Sequence, residues 1–288
     1  MKKSILFIFI LSSFTTFAQL EKTTFWEVSG KDLKTPSYLF GTMHSICKDK
    51  YRLPTKVSEA ITKSKVLFIE IDFNDVLNDF KATYSLLNKA GKPLNMYFTY
   101  NENIKIKQIL KKKLRVNYDR FQNLSPSVLE DWLLSTSVNC KSVSYESELM
   151  KIAGKSKIRI ASLETFEEHF ATDSAYTNKE AVENIKEMLK KDYQSEVVTH
   201  FQKMSDQYFR QDIQKIYNDF VAYHKSKNNL KFVDAILDTR NKAWIPRIEK
   251  SMKNGKSFFA FGAAHLGGEN GVINLLRKQG YSVKPLYN

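Results

Sequence analysis

The chain is short of several things, and each shortage removes an explanation. No segment beyond its first twenty residues is apolar enough to span a bilayer, which takes roughly 20 consecutive apolar residues. No lysine- or arginine-rich stripe is interleaved with aromatic or glycine-rich motifs, so nucleic acid is not an expected partner. There is no solenoid repeat and no low-complexity tract. The Gly267–Gly268 pair matches no phosphate-loop pattern. Acidic residues are outnumbered, 31 against 45 lysines and arginines in 288 residues, a formal charge of +14. That excess is spread out; Lys111–Lys113 and Lys190–Lys191 are its tight clusters. It reads as a solvated surface that also favours acidic substrates or anionic surfaces. Cysteine is scarce too. Cys47 and Cys140 are free to pair in an oxidising compartment, and Cys47 stands three residues after His44, where a thiolate ligand is equally open.

What is present begins with a leader. Two lysines, an apolar run from Ile5 to Leu11 and small residues ending at Ala18 follow the grammar of a secretory signal peptide over residues 1–18. Export to the periplasm or medium is the expectation, with no transmembrane segment after cleavage. Residues 19–288 are long enough for one substantial core. "FWEVSG" and "SYLFG" read as a hairpin, "TKVSEAITKSK" as a helix and "KVLFIEIDF" (Lys65–Phe73) as a strand covered on both faces. Helical periodicity dominates about 75–156 and 178–230. Ser125–Pro126 marks one helix start there. "KIRIASLE" is a strand, and Thr165 and Glu168 have capping-box spacing directly after it. Pro246 predicts a break or kink in the helix around it. "KSFFAFGAAH", "GVINLLRKQG" and "YSVKPL" read as strand, helix and strand. The predicted fold is α/β: a central mixed β-sheet formed from the N- and C-terminal thirds, with a helical insertion in the middle.

The chemistry concentrates in a phrase written twice. "YLFGTMH" (Tyr38–His44) and "FAFGAAH" (Phe259–His265) both read aromatic-x-Phe-Gly-x-x-His, in a chain with five histidines. In each, an apolar strand runs into a glycine, Gly41 or Gly262, that permits a sharp turn or a close approach. Residues just past the strand ends of a doubly covered sheet line the crevice where ligands bind. His44 and His265 are therefore predicted to meet, and two imidazoles with one carboxylate make an ordinary three-ligand site. Glu70, inside an otherwise apolar strand, supplies the carboxylate; ionised and buried it must be paired or metal-bound. Glu164 repeats that situation. Arg240 is a candidate cation for one of these acids or for a substrate carboxylate. His169, His200 and His224 fall on predicted helices without companions and read as surface or packing residues.

"YLFGTMH", "LFIEID", "IASLET", "TRN" and "FFAFGAAHLGGENGVINLLRKQGYSV", in this order, resemble the TraB/GumN family, which includes the pheromone-shutdown proteins and the Tiki ectodomains. The match is strongest in the last thirty residues and loose in the middle helices, where "SPSVLEDW" departs from the Pro-Trp pair of many relatives. Tiki proteins are described as metal-dependent peptidases using paired Gly-x-x-His motifs and a strand glutamate. The resemblance thus implies His44, His265 and Glu70 as metal ligands, with Glu70 as third ligand or as base, and places the family's Arg-Asn pair at Arg240–Asn241. The expected cofactor is a divalent ion (manganese, cobalt, zinc or iron) and the expected partner a peptide or small-molecule substrate. The alternative is a non-catalytic protein that binds a peptide or a haem-like ligand in the same crevice, because related α/β cores serve several chemistries.

Overall fold

The structure, a computed structural model, describes residues 20–72, 91–136, 140–171, 177–190 and 193–287. The leader over 1–18 and the first helix expected after Asp75 fall outside them. Six strands form one sheet: β1 (Phe25–Ser29), β2 (Ser37–Thr42), β4 (Val66–Ile69), β6 (Arg159–Ser162), β7 (Ser257–Gly262) and β8 (Ser282–Leu286), in the order β6-β4-β7-β2-β1-β8. β1 and β2 are the expected antiparallel hairpin, with Trp26 opposite Leu39. β6, β4, β7 and β2 run parallel, and β1 runs against both of its neighbours. The sheet is therefore mixed and unites strands from both ends of the chain. A separate antiparallel pair joins β3 (Ile46–Cys47) to β5 (Ser142–Val143).

β7 is the central strand, and "SFFAFG" explains why. Its side chains alternate between faces, yet both faces are apolar. Phe259 and Phe261 pack with Trp26, Leu39 and Trp244, while Phe258 and Ala260 pack with Phe40, Ile61 and Leu67. Each fully buried phenylalanine contributes about 1.5–3 kcal/mol, so this strand anchors both layers. One layer is built by α1 (Thr55–Thr62) and a later helix, α4 (Tyr145–Lys155). The other is built by α10 (Arg240–Asn254) and α11 (Val272–Lys278).

Between these lie α2 (Tyr100–Leu114), α3 (Pro126–Thr136), α5 (Phe166–Ala171), α6 (Asn178–Met188), α7 (Tyr193–Phe209), α8 (Ile213–Ser226) and α9 (Leu230–Val233). Capping boxes open α2 at Thr99 and α6 at Thr177, and the expected Thr165–Glu168 pair opens α5. α2, α3 and α6 share a core of their own around Ile106, Leu110, Leu129, Leu133 and Ile185. α7 and α8 instead reach the sheet, lending Tyr208 and Ile216 to its core.

Two local expectations are corrected. β4 ends at Ile69, not Phe73; past it the Asp72 N–H donates to the Ser162 hydroxyl at 3.0 Å, a side chain in place of a strand carbonyl. The helix around Pro246 does not break there. Trp244, Ile245, Ile248 and Met252 hold α10 against the sheet on both sides of the proline, and the irregularity lies upstream, in a π-helical turn over Asp234–Thr239. Cys47 and Cys140, left open by the sequence, form a disulfide with Cα atoms 5.5 Å apart.

Candidate metal centre

The two copies of the phrase lie side by side. β2 and β7 are parallel neighbours in a register that sets Gly41 beside Phe261 and Thr42 beside Gly262, a stagger of one residue. Both chains then leave the sheet at the same edge, where the C-terminal ends of β4 and β6 present Glu70 and Glu164. The glycines do different work. A Cβ on Gly41 would come within 2.7 Å of Leu266 and 3.0 Å of the Ala263 backbone, so its bareness lets the turn after β7 lie on β2. A Cβ on Gly262 would lie 3.4 Å from His44 Nε2, 3.5 Å from Glu70 Oε1 and 3.6 Å from His265 Cδ2. That small space is bordered by all three predicted ligands.

Each imidazole is held through Nδ1. The Asn241 amide nitrogen donates to the carbonyls of His265 and Asn270 at 3.3 and 2.9 Å, which turns its oxygen toward His265 Nδ1 at 2.7 Å. An amide oxygen only accepts, so His265 carries its proton on Nδ1 and keeps Nε2 as a lone pair. His44 Nδ1 lies 2.9 Å from Glu146 Oε1 and donates in the same way. The two Nε2 atoms then face one oxygen: Glu70 Oε1 is 3.7 Å from His44 and 4.0 Å from His265. Such backing of a ligating imidazole by a carboxylate or carbonyl group is the usual outer shell of a metal site.

Glu70 is itself fixed. Its Oε1 accepts the Gly262 N–H at 2.7 Å and its Oε2 accepts Arg240 Nη2 at 2.6 Å. Arg240 is buried and also donates to both oxygens of Glu164 and, at 3.2 Å, to the Ile236 carbonyl. Trp244, one turn further along α10, donates to Glu164 and lies against the guanidinium, 4.8 Å from it. These contacts engage the arginine's donors within the protein.

A family model described as TraB/PrgY/gumN matches residues 24–285, nearly the whole chain. The chain belongs to the TraB/PrgY/gumN family. Comparison with curated proteins and with solved structures gives no match. For this TraB/PrgY/gumN protein the structure brings His44, His265, Glu70, Glu164, Arg240 and Asn241 to one sheet edge, with Gly41 and Gly262 beneath them.

The electrostatics divide the two histidines. Glu146 raises the His44 pKa well above the ordinary imidazole value, and Glu70 adds to the shift. Burial pushes His265 down to about 3, with Glu70 opposing and the Arg240 charge assisting, so this ring stays neutral. For Glu70, burial alone would raise the pKa, but Arg240, His265, His44 and the Gly262 N–H together hold it well below the usual carboxylate range. Glu146 follows the same balance, held down to about 2 chiefly by His44. Glu164 is lowered through His169 and Arg240 against its burial.

Three groups in this TraB/PrgY/gumN site were not legible as such. His169, read as a surface or packing residue, is neither: its Nδ1 lies 2.6 Å from Glu164 Oε1 and 3.2 Å from Arg240 Nη2. The capping box that starts α5 turns this residue back over the end of β6, a geometry that spacing from Glu164 alone did not reveal. Glu146 and Trp244 were not singled out by the sequence. His224 does pack, against the rings of Phe220, Tyr223 and Phe232. The His200 side chain is outside the described residues.

Whether an ion fits can be tested on these positions. Glu70, Glu164 and His169 offer donor atoms within 4.8 Å of one another, but Arg240 Nη2 is within hydrogen-bonding reach of all three, so a guanidinium already holds that place. His44, Glu70 and His265 do not close to 4.8 Å as a set. They do border one small space: His44 Nε2 faces it from a ring that Glu146 holds through Nδ1, and His265 Nε2 faces it with Arg240 Nη1 3.4 Å away. Charge points the same way. The buried Glu70 and Glu164 and the partly buried Glu146 face the buried Arg240 and a His44 of raised pKa, so the acids still outnumber the cations at this edge. The residues fit a divalent ion.

Proposed function

We propose that the protein is an exported metal-dependent hydrolase of the Tiki-like peptidase type. The observation that carries this reading is the convergence of two Nδ1-backed imidazoles on one oxygen of a buried, ionised glutamate, around a space kept open by Gly262. His44 and His265 would hold the ion through Nε2 and Glu70 through Oε1, a nitrogen–oxygen set compatible with zinc, manganese, cobalt or iron. A bound divalent ion supplies a polarised carbonyl and a water acidified toward neutrality. The protein's own part is positional. Asn241 and Glu146 orient the rings, and the Gly262 N–H and Arg240 fix the two oxygens of Glu70. With its donors engaged, Arg240 acts by keeping Glu70 and Glu164 ionised in place, and a direct hold on a substrate carboxylate is not part of this reading. The Cys47–Cys140 disulfide supports export, since such bonds persist in oxidising compartments.

Elemental analysis of the purified mature chain after incubation with manganese, zinc, cobalt and iron salts tests the centre. We expect close to one ion per chain in the wild type and loss in His44→Ala and His265→Ala. Equal, negligible loading of all three proteins ends the metal reading. A mixed peptide library, incubated with and without chelator, tests the chemistry. Cleavage should depend on metal and disappear in Glu70→Gln. Peptides retained intact by the metal-loaded wild type would instead make it a binding protein.

A further inference from the structure

We propose that Glu146 is the positioning residue for His44: it sets which imidazole nitrogen faces Glu70, and it holds the ring there. The inference deepens the metal-centre reading and rests on it for its functional meaning. It concerns a residue 102 positions away in sequence whose neighbours give no hint of a site.

His265 is buried against Trp244 and Phe261 and scarcely needs a tether. His44 is mostly exposed, and among the described residues its polar contacts are with Glu70 at 3.7 Å and Glu146 at 2.9 Å. The closer of these orients the ring. Glu146 is well placed to do so because it is itself held from three sides. Its Oε1 accepts Thr42 Oγ1 as well as His44 Nδ1, and its Oε2 accepts Ser144 Oγ at 2.6 Å. Thr42 is two residues before His44, and Ser144 caps α4, in whose first turn Glu146 stands. A carboxylate there also sits favourably against the helix dipole.

The backbone brings these segments together independently of the side chains. Ile46 pairs with Val143 and Cys47 with Ser142, Tyr145 N–H donates to Met43 O at 3.4 Å, and the Cys47–Cys140 disulfide closes the end. Residues 42–47 and 140–146 thus form a clamp with the His44–Glu146 contact at its inner end. The two arms of the centre share one design but use different backing: an amide oxygen for His265, an ionised carboxylate for His44. A carboxylate partner makes the imidazole the stronger donor to a metal.

The test joins two measurements. Thermal unfolding of metal-free wild type, His44→Ala, Glu146→Ala and the double variant reports the contact without reference to any ion. The Tm losses should be non-additive, the second substitution costing clearly less once the first is made; additive losses overturn the proposal. Should Glu146→Ala not fold by circular dichroism, Glu146→Gln replaces it in the same cycle. Calorimetric titration with Mn2+ and with Zn2+ then reports the consequence. Affinity should fall roughly 10–100-fold in Glu146→Ala, fall less in Glu146→Gln, which keeps an acceptor for Nδ1–H, and fall no further when Glu146→Ala is added to His44→Ala. Unchanged affinity in Glu146→Ala also overturns the proposal. If the wild type takes up neither ion while the Tm cycle remains non-additive, the metal reading fails and the positioning of His44 by Glu146 stands.

Discussion

Arg240 gives the clearest case of a residue whose worth lies in what it neutralises. It sits between two buried carboxylates, and its removal would leave both without their counter-charge. Arg240→Met should therefore destabilise the protein by about 3–5 kcal/mol in urea unfolding, the typical cost of breaking a buried pair. Lys151→Met, which breaks an exposed pair with Glu148, should cost less than about 1 kcal/mol. The same residues predict a pH profile. Glu70, Glu146 and Glu164 all have depressed values, so their stabilisation is present above the unfolded carboxylate pKa of about 4.5 and is lost as pH falls, for Glu146 through about 2. His44 is raised, so its contribution to the metal-free protein is complete below about 6.5 and is lost as pH climbs through its folded value. Stability of the metal-free protein, followed by denaturant midpoint against pH, should fall on both sides of that interval. In Glu146→Gln both limbs should flatten.

At the scale of elements, the repeated phrase separates into two jobs that substitution can tell apart. Gly41→Ala drives a methyl into Leu266 and the backbone of Ala263, so β2 and the turn after β7 must part. A loss of about 1–3 kcal/mol is expected, with whatever metal the folded fraction binds still bound. Gly262→Ala meets its neighbours at ordinary contact distances of 3.4–3.6 Å and should change stability by less than about 1 kcal/mol. Its methyl nevertheless occupies the space among His44, Glu70 and His265, and metal uptake should fall at least tenfold. Elemental analysis beside denaturant unfolding checks both substitutions. The elements themselves were largely readable. Hairpin, central strand, capping boxes and the closing strand-helix-strand run all follow from apolar period and punctuation. Pro246 misled because local propensity gives way when Trp244, Ile245 and Ile248 are buried around it.

The whole molecule is drawn together by contacts between distant parts of the chain. β2 and β7 are separated by more than two hundred residues, and the disulfide spans 93. Closing a loop of that length restrains the unfolded chain, so Cys47→Ser with Cys140→Ser should cost about 2–5 kcal/mol, read as a Tm lower by roughly 5–15 °C. The wild type under reductant should show the same displacement. Because the bond also closes the clamp that carries His44 and Glu146, the loss of metal affinity should exceed that of a control that keeps the disulfide and is destabilised elsewhere to the same Tm.

The amino-acid sequence by itself determined the strands, the doubly apolar centre of the sheet, and the choice of His44, His265, Glu70, Glu164 and Arg240 as residues of interest. Apolar period, strand-end glycines and the energetic cost of an acid in an apolar run are local properties, visible without a fold. Tertiary structure alone decided the partners: that Arg240 serves the two glutamates, that Asn241 and Glu146 back the two imidazoles, and that His169 joins them. Which charge lies beside which depends on strand order and register. These arise from packing the two ends of the chain into one sheet, and no short stretch of residues encodes them.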